Sequence, residues 1–213
     1  MDISIVIPAT DKNKYDDKGD LSKWGSTSLL EWKISQAKKI EKVSKIYVST
    51  NSKKIIEISK YYDLKIINRD IQSNLKSLYK SSCQRINSEY ILWLNCTFPY
   101  LSENTINNFV NSFFKIKKNG YDSALMYHLE YEYFFKGNNP INFDLDKILI
   151  ERKKIVPLKK ISAGATIFKK KKMIKNSNFG NKPYFKKINW LESLEIKDTK
   201  NIKSFQSGLT YFK

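Results

Sequence analysis

The strongest constraint on this chain is a rhythm: short apolar runs of strand length alternate with longer segments that carry a helical stripe. Ile3 to Ile7 is an apolar run closed by Pro8, the pattern of a buried strand. Residues 8–26 are polar and charged, contain Gly19 and Gly25, and read as a long loop. Ser26, Thr27 and Ser28 can cap a helix whose face is Leu30, Ile34 and Ala37. Lys45 to Thr50 is the next strand, and Ile55, Ile58 and Tyr62 mark a second helix. Leu64 to Ile67 reads as a third strand, followed by a helix over 74–87. Tyr90 to Asn95 is a nearly continuous apolar strand, and Ser102 opens a helix carrying Ile106, Phe109, Val110 and Phe113. Asp122 to Tyr127 is a further strand. Repeated β-then-α units of this length predict an α/β fold, with a mostly parallel sheet covered on both faces and right-handed crossovers. Ligands of such sheets sit beyond the carboxyl ends of the strands. The loops 8–26, 50–53 and 95–101 are therefore the expected site.

After residue 128 the rhythm changes. Residues 128–160 are rich in Tyr and Phe, then in Lys, and read as an antiparallel excursion, either a lid or a dimerisation arm. Ser162 to Phe168 returns as a strand, Lys169 to Lys172 leads into a short helix, and 193–208 is expected to give a last strand and helix. No internal repeat or linker divides the chain, so 1–213 is read as one domain.

Lys and Arg number 39 against 21 acidic residues, a formal charge of +18, and only Arg69, Arg85 and Arg152 are Arg. Heavy use of Lys, Asn and Ile is what an A+T-rich genome produces. A nucleic-acid reader would show more Arg and clustered stacking groups, so nucleic acid is not the expected partner. A polyanionic ligand such as a nucleoside triphosphate is compatible with either origin of the charge. No apolar run reaches the ~18–20 residues of a membrane span. The opening residues lack the basic and apolar regions of a secretory signal, and Cys83 and Cys96 make no disulfide framework. The expected compartment is the cytoplasm.

Several chemistries are unsupported. His128 is the only histidine, which excludes a His-pair zinc site and is expected to be structural. There is no Gly-x-Ser-x-Gly elbow, and nothing points to a histidine beside either cysteine. The first-strand loop, Ile7-Pro8-Ala9-Thr10-Asp11-Lys12-Asn13-Lys14, lies where backbone amides and lysines hold phosphates. It is neither a Walker A motif nor the dinucleotide fingerprint.

That loop aligns without a gap, through Gly25, Leu29, Leu30 and Trp32, with the Ile-Pro-Ala-Arg-Gly-Gly-Ser-Lys opening of one family. Val48-Ser49-Thr50-Asn51 is similar to its Val-Ser-Thr-Asp strand end, and Arg69-Asp70 to its Arg-Pro turn. Leu94-Asn95-Cys96-Thr97-Phe98-Pro99-Tyr100-Leu101 is similar to Leu-Gln-Pro-Thr-Ser-Pro-Leu-Arg. Asp122-Ser123, then Ala163-Gly164-Ala165-Thr166-Ile167-Phe168, then Ser193-Leu194-Glu195-Ile196-Lys197 follow in the expected order. The chain thus resembles the acylneuraminate-type cytidylyltransferases, which make CMP-linked sugar acids.

The resemblance implies a three-layer, Rossmann-like nucleotidyltransferase fold, a homodimer, CTP as substrate and Mg2+ as cofactor. It further implies CMP transfer to an acidic sugar, or to a related phosphorylated or phosphonate acceptor of surface-glycan biosynthesis, with release of pyrophosphate. By this resemblance Pro8, Ala9 and Thr10 belong to the phosphate loop, and Lys14 and Lys18 carry catalysis. Thr50, Arg69 and Ser77 face the base and ribose. Asn95, Thr97 and Gly164 face the acceptor, and Arg152 and Lys159 pair with its acidic group. Glu195 holds the metal, with Asp198 adjacent. The departures fall where the chemistry is expected: Thr10 stands for an Arg, Asp11 and Lys12 for two Gly, Gly19 for a Lys, Leu101 for an Arg and Lys197 for the second metal carboxylate. The alternative is a fold relative that binds or scaffolds without catalysing.

Overall fold

A computed structural model describes residues 2–13, 17–69, 74–147, 155–176, 180–196 and 204. Strand β1 (Ile3–Pro8) lies inside a seven-stranded sheet and illustrates why the chain folds in three layers. Its alternate side chains point to opposite faces. Ile3, Ile5 and Ile7 enter one core and Val6 enters another. The hairpin β2 (Lys23–Trp24) and β3 (Thr27–Ser28) follows, turning at Gly25, whose φ of +60° suits glycine. The end of the loop expected over 8–26 therefore enters this small hairpin, which closes at Thr27–Ser28. Then come α1 (Leu29–Lys38), β4 (Ile46–Thr50), α2 (Lys53–Tyr61), β5 (Lys65–Asn68), α3 (Leu75–Gln84), β6 (Tyr90–Leu94) and α4 (Glu103–Ile116).

Helices α1 and α4 start after Ser28 and Ser102, as the sequence predicts. The Ser28 hydroxyl accepts from Glu31 N–H at 3.2 Å while the Glu31 carboxylate accepts from Ser28 N–H at 3.0 Å, a reciprocal capping box. Ser52, Asn74 and Ser102 cap α2, α3 and α4 in the simpler way. Residues of α1, α2 and α4 pack on the face of Ile3, Ile5 and Ile7, whereas α3 and the later α5 (Lys170–Asn176) contribute to the core of Val6 and Trp93.

The second half supplies β7 (Ser123–Glu130), the hairpin β8 (Phe135–Lys136) and β9 (Asn139–Pro140), β10 (Leu158–Lys169) and β11 (Pro183–Lys187). The sheet order is β11-β7-β10-β6-β1-β4-β5. Its one reversed strand is β10, antiparallel to both β6 and β7; the other pairings are parallel. The result is the α/β, mostly parallel, three-layer Rossmann-like architecture, with a small antiparallel hairpin at Phe135–Pro140.

The strand and helix expected over 193–208 fall mostly outside the described residues, and the last strand among the described residues is Pro183–Lys187. This five-residue edge strand carries two lysines and lacks the continuous apolar run that marked β6. Leu191–Ser193 is a 3-10 turn, and 197–203 and 205–213 lie outside the described residues. Asp122 fixes the start of β11, accepting from Asn181 N–H, Lys182 N–H and the Lys172 ammonium. Among the described residues no helix is long and apolar enough to cross a membrane.

Candidate functional site

A cleft of about 300 Å³ opens beyond the carboxyl ends of β1, β5 and β6, where a parallel sheet presents its loops. Pro8, Thr10, Asn13, Asp20 and Arg69 form its polar wall. Leu75, Leu78, Tyr79 and Trp93 form an apolar wall, and Asn95, Cys96, Thr97 and Ala163 close the third side. The Tyr79 and Trp93 rings pack against each other with centroids 4.1 Å apart.

The polar wall is held from below. Ala9 is buried and its N–H reaches the Ser49 carbonyl at 3.0 Å, which continues the β1–β4 ladder into the loop. Thr10 N–H donates to Asp20 Oδ2 at 2.8 Å, and Asp20 N–H returns a bond to the Thr10 carbonyl at 2.8 Å. Gly19 adopts φ +50°, and a side chain there would bring a Cβ within 2.9 Å of Lys12 N. A lysine, the residue the resemblance would place here, would be strained in this loop base. Asp11 accepts from the Ser52 hydroxyl at 2.5 Å, tying the loop to the cap of α2. Burial pushes the Asp20 carboxyl up to about 6, with Thr10 N–H and the charge of Arg69 drawing it back. Arg69 donates from Nε to Ser49 Oγ at 3.4 Å and from its backbone to the Thr50 carbonyl at 3.1 Å.

The third side depends on a bulge. The β10–β7 register shifts between Ser162 and Thr166, turning Ala163 towards the cleft. Asn95 Nδ2 donates to the Ala163 carbonyl at 2.6 Å and Asn95 N–H to the Gly164 carbonyl at 3.1 Å. A Cβ on Gly164 would stand 3.0 Å from both Leu101 Cδ2 and Phe98 Cγ, so Gly164 permits the 98–101 turn to pack on β10. Three side chains of α1 hold that turn from beneath. Trp32 Nε1 donates to the Pro99 carbonyl at 2.8 Å, Lys33 Nζ to Phe98 at 2.9 Å and Gln36 Nε2 to Leu101 at 2.8 Å. Lys33 is wholly buried, and burial lowers its ammonium to about 8. On the outer side, Ile196 N–H donates to the Thr97 carbonyl at 2.7 Å and so hangs the Glu195 segment on the same turn.

Of the residues expected from sequence, Pro8, Thr10, Arg69, Asn95 and Thr97 line this one cleft. Ala9, Thr50 and Gly164 are structural neighbours beneath it; Thr50 is buried and its hydroxyl accepts from Ser52 N–H. Lys18 opens into an adjoining hollow with Asp11, Lys12 and Lys54. Ser77 does not line the cleft: it is exposed, and its hydroxyl donates to the Asn74 carbonyl within the first turn of α3. Lys159 Nζ lies 5.0 Å from the Tyr127 ring centroid and 5.3 Å from that of Phe185, also off the cleft. Lys14, Arg152 and Asp198 lie outside the described residues. Sequence reasoning missed Asp20, Ala163, the apolar wall and Lys33. Lys33 had a legible signal, since it interrupts the apolar stripe of Leu29, Leu30, Ile34 and Ala37.

For Mg2+, no group of three metal-ligating side chains gathers among the described residues. Among the described residues the carboxylate lining the cleft is that of Asp20, and the Glu195 segment is hung on its edge at Thr97. That fits a cation carried largely by phosphates and water, the usual mode of Mg2+, and does not fit a protein-made cage.

A sequence profile described as Cytidylyltransferase matches residues 20–190. A comparison with curated proteins gives no match. Among solved structures, a CMP:2-keto-3-deoxy-manno-octonic acid synthetase complexed with CTP superposes with a TM-score of 0.75 at 9% identity, covering 100% of both chains. A 4-diphosphocytidyl-2C-methyl-D-erythritol synthase from Anaerococcus prevotii gives 0.69 at 13% identity over 98% of each chain. The bifunctional IspDF from Campylobacter jejuni gives 0.71 at 15%, covering 95% of this chain and 54% of that one. At these identities the structures speak for the fold, and the profile, spanning most of the chain, speaks for the family. By that match this chain is a divergent member of the cytidylyltransferase family.

Proposed function

We propose that this chain transfers CMP from CTP to an acidic sugar, or to a related phosphorylated or phosphonate acceptor, and releases pyrophosphate. The observation that carries the reading is convergence. Residues from the ends of β1, β5 and β6 line one cleft, and the Glu195 segment is bonded to its rim at Thr97. In the reaction an acceptor oxygen attacks the α-phosphorus, a P–O bond forms, the α–β bridge bond breaks and pyrophosphate leaves with its electron pair. The acceptor's proton passes to solvent. Catalysis of this type is chiefly positioning and charge neutralisation.

Arg69 supplies the fixed cation of the described wall, and Lys18 adds a charge from the neighbouring hollow; Lys14 and Arg152 are further candidates. The apolar wall of Leu78, Tyr79 and Trp93 excludes water on one side. Asn95 is oriented by Ala163 and, with Thr97, faces the acceptor. Glu195 would hold Mg2+ at the rim, with Asp198 beside it, and that ion would neutralise triphosphate charge. The exposed apolar groups Tyr131, Phe135, Ile141, Ile161 and Phe185, spread over the 128–160 excursion and neighbouring β10 and β11, support a homodimer.

A second reading, binding without turnover, is favoured by one observation: the Thr10 amide is already bonded to Asp20 and so is not offered to a phosphate. One experiment separates the two. The protein is incubated with each NTP, Mg2+ or Mn2+, and a panel of sugar acids and phosphonates, and pyrophosphate is measured. CTP-selective release dependent on one acceptor supports transfer. CTP binding without release supports the second reading.

A further inference from the structure

We propose that Asp20 is an internal anion at the phosphate end of the cleft and sets how strongly nucleotides bind there, opposing each added phosphate. The inference rests on the nucleotide reading above.

Asp20 is only 7% exposed, yet it lines the cleft. Its carboxylate cannot swing aside cheaply. The paired bonds between Thr10 and Asp20, each 2.8 Å, close the base of the 10–20 loop. Gly19 at φ +50° packs that base against the Lys12 backbone without slack. Arg69 is the one cation among the described residues that line the cleft, and its field already acts on Asp20. Lys12 and Lys18 line the adjoining hollow instead. The described lining therefore offers one positive and one negative side chain. Within this described lining a polyphosphate would meet one opposing carboxylate in a partly enclosed site, where like charges repel more strongly than in water. A cleft built only to retain triphosphate would gain from a neutral residue at this position, so the carboxylate weakens and thereby tunes retention of the nucleotide.

The test compares the wild-type chain with Asp20→Asn, which keeps a carbonyl for Thr10 N–H and removes the charge. CMP, CDP and CTP are titrated into each by calorimetry at pH 7.5 and fixed salt. The expected gain in affinity grows along the series, small for CMP and about tenfold or more for CTP. A second variant, Asp20→Ser, also neutral and able to accept from Thr10, should show the same ordering; thermal melting confirms that both are folded. A gain equal for all three nucleotides, no gain, or a loss in both folded variants overturns the proposal and leaves the nucleotide reading standing. Absence of CTP binding by every form removes the nucleotide reading, and the proposal falls with it.

Discussion

At the scale of single residues, the site is governed by two charges held where burial disfavours charge. Asp20 has its carboxyl raised from 3.8 to about 6, so the folded protein binds a proton more tightly than the unfolded chain. The stability this proton contributes is fully present below about pH 4 and is lost as pH rises through about 6. Asp20→Asn should therefore be more stable than wild type at pH 7.5, by on the order of 2–3 kcal/mol, with the difference gone at pH 4. Urea denaturation at both pH values checks this; a pH-independent difference would contradict it. Lys33 has the opposite sign, its ammonium being lowered from 10.5 to about 8 by burial. Replacing it with Met relieves on the order of 3 kcal/mol of ammonium burial at pH 7. The same change orphans the Phe98 carbonyl and Gln36 Oε1, at about 1–3 kcal/mol each. Lys33→Met should thus change global stability little. Amide exchange at Leu101 and Ile196, whose bonds belong to the turn, should quicken while exchange in β1 and β4 stays slow. Uniformly faster exchange would mean that Lys33 supports the whole core rather than the turn.

At the scale of elements, the strands and caps were legible because period and punctuation agreed. The run Ile3–Ile7 before Pro8, the run Tyr90–Leu94, and Ser28 and Ser102 ahead of apolar stripes each state their element locally. Strand β11 was illegible because its pairing with β7 is set by the Asp122 anchor, a contact some 60 residues away in sequence. The site was legible in part for the same reason. Thr10, Asn95 and Thr97 stand in loops that the β-α rhythm locates, and Arg69 in a turn that the family resemblance marks. Asp20 gained its role from a bond across the loop, and Tyr79 and Trp93 gained theirs from packing α3 on β6; local sequence shows neither. Ser77 shows the converse. The resemblance implies that it faces the base or ribose, and in the structure its hydroxyl donates to the Asn74 carbonyl in the first turn of α3.

At the scale of the whole molecule, the charge and the exposed apolar face make separate demands. Ile161 on β10 and Phe185 on β11 are 47% and 39% exposed, and Lys159 lies over the Tyr127 and Phe185 rings on the same ribbon. If this face joins two copies, the chain should sediment as a dimer at micromolar concentration, and the double change Ile161→Lys with Phe185→Lys should yield a folded monomer. A variant that remains dimeric would move the interface elsewhere. The central claim is that the carboxyl ends of the parallel strands cradle a cytidine polyphosphate. The most direct measurement is the amide spectrum of the labelled protein during titration with CTP and, separately, ATP. CTP should shift Thr10, Asp20, Arg69, Asn95 and Thr97 together, with ATP far weaker. Saturable shifts confined to the far end of the sheet, or none with any nucleotide, would contradict it.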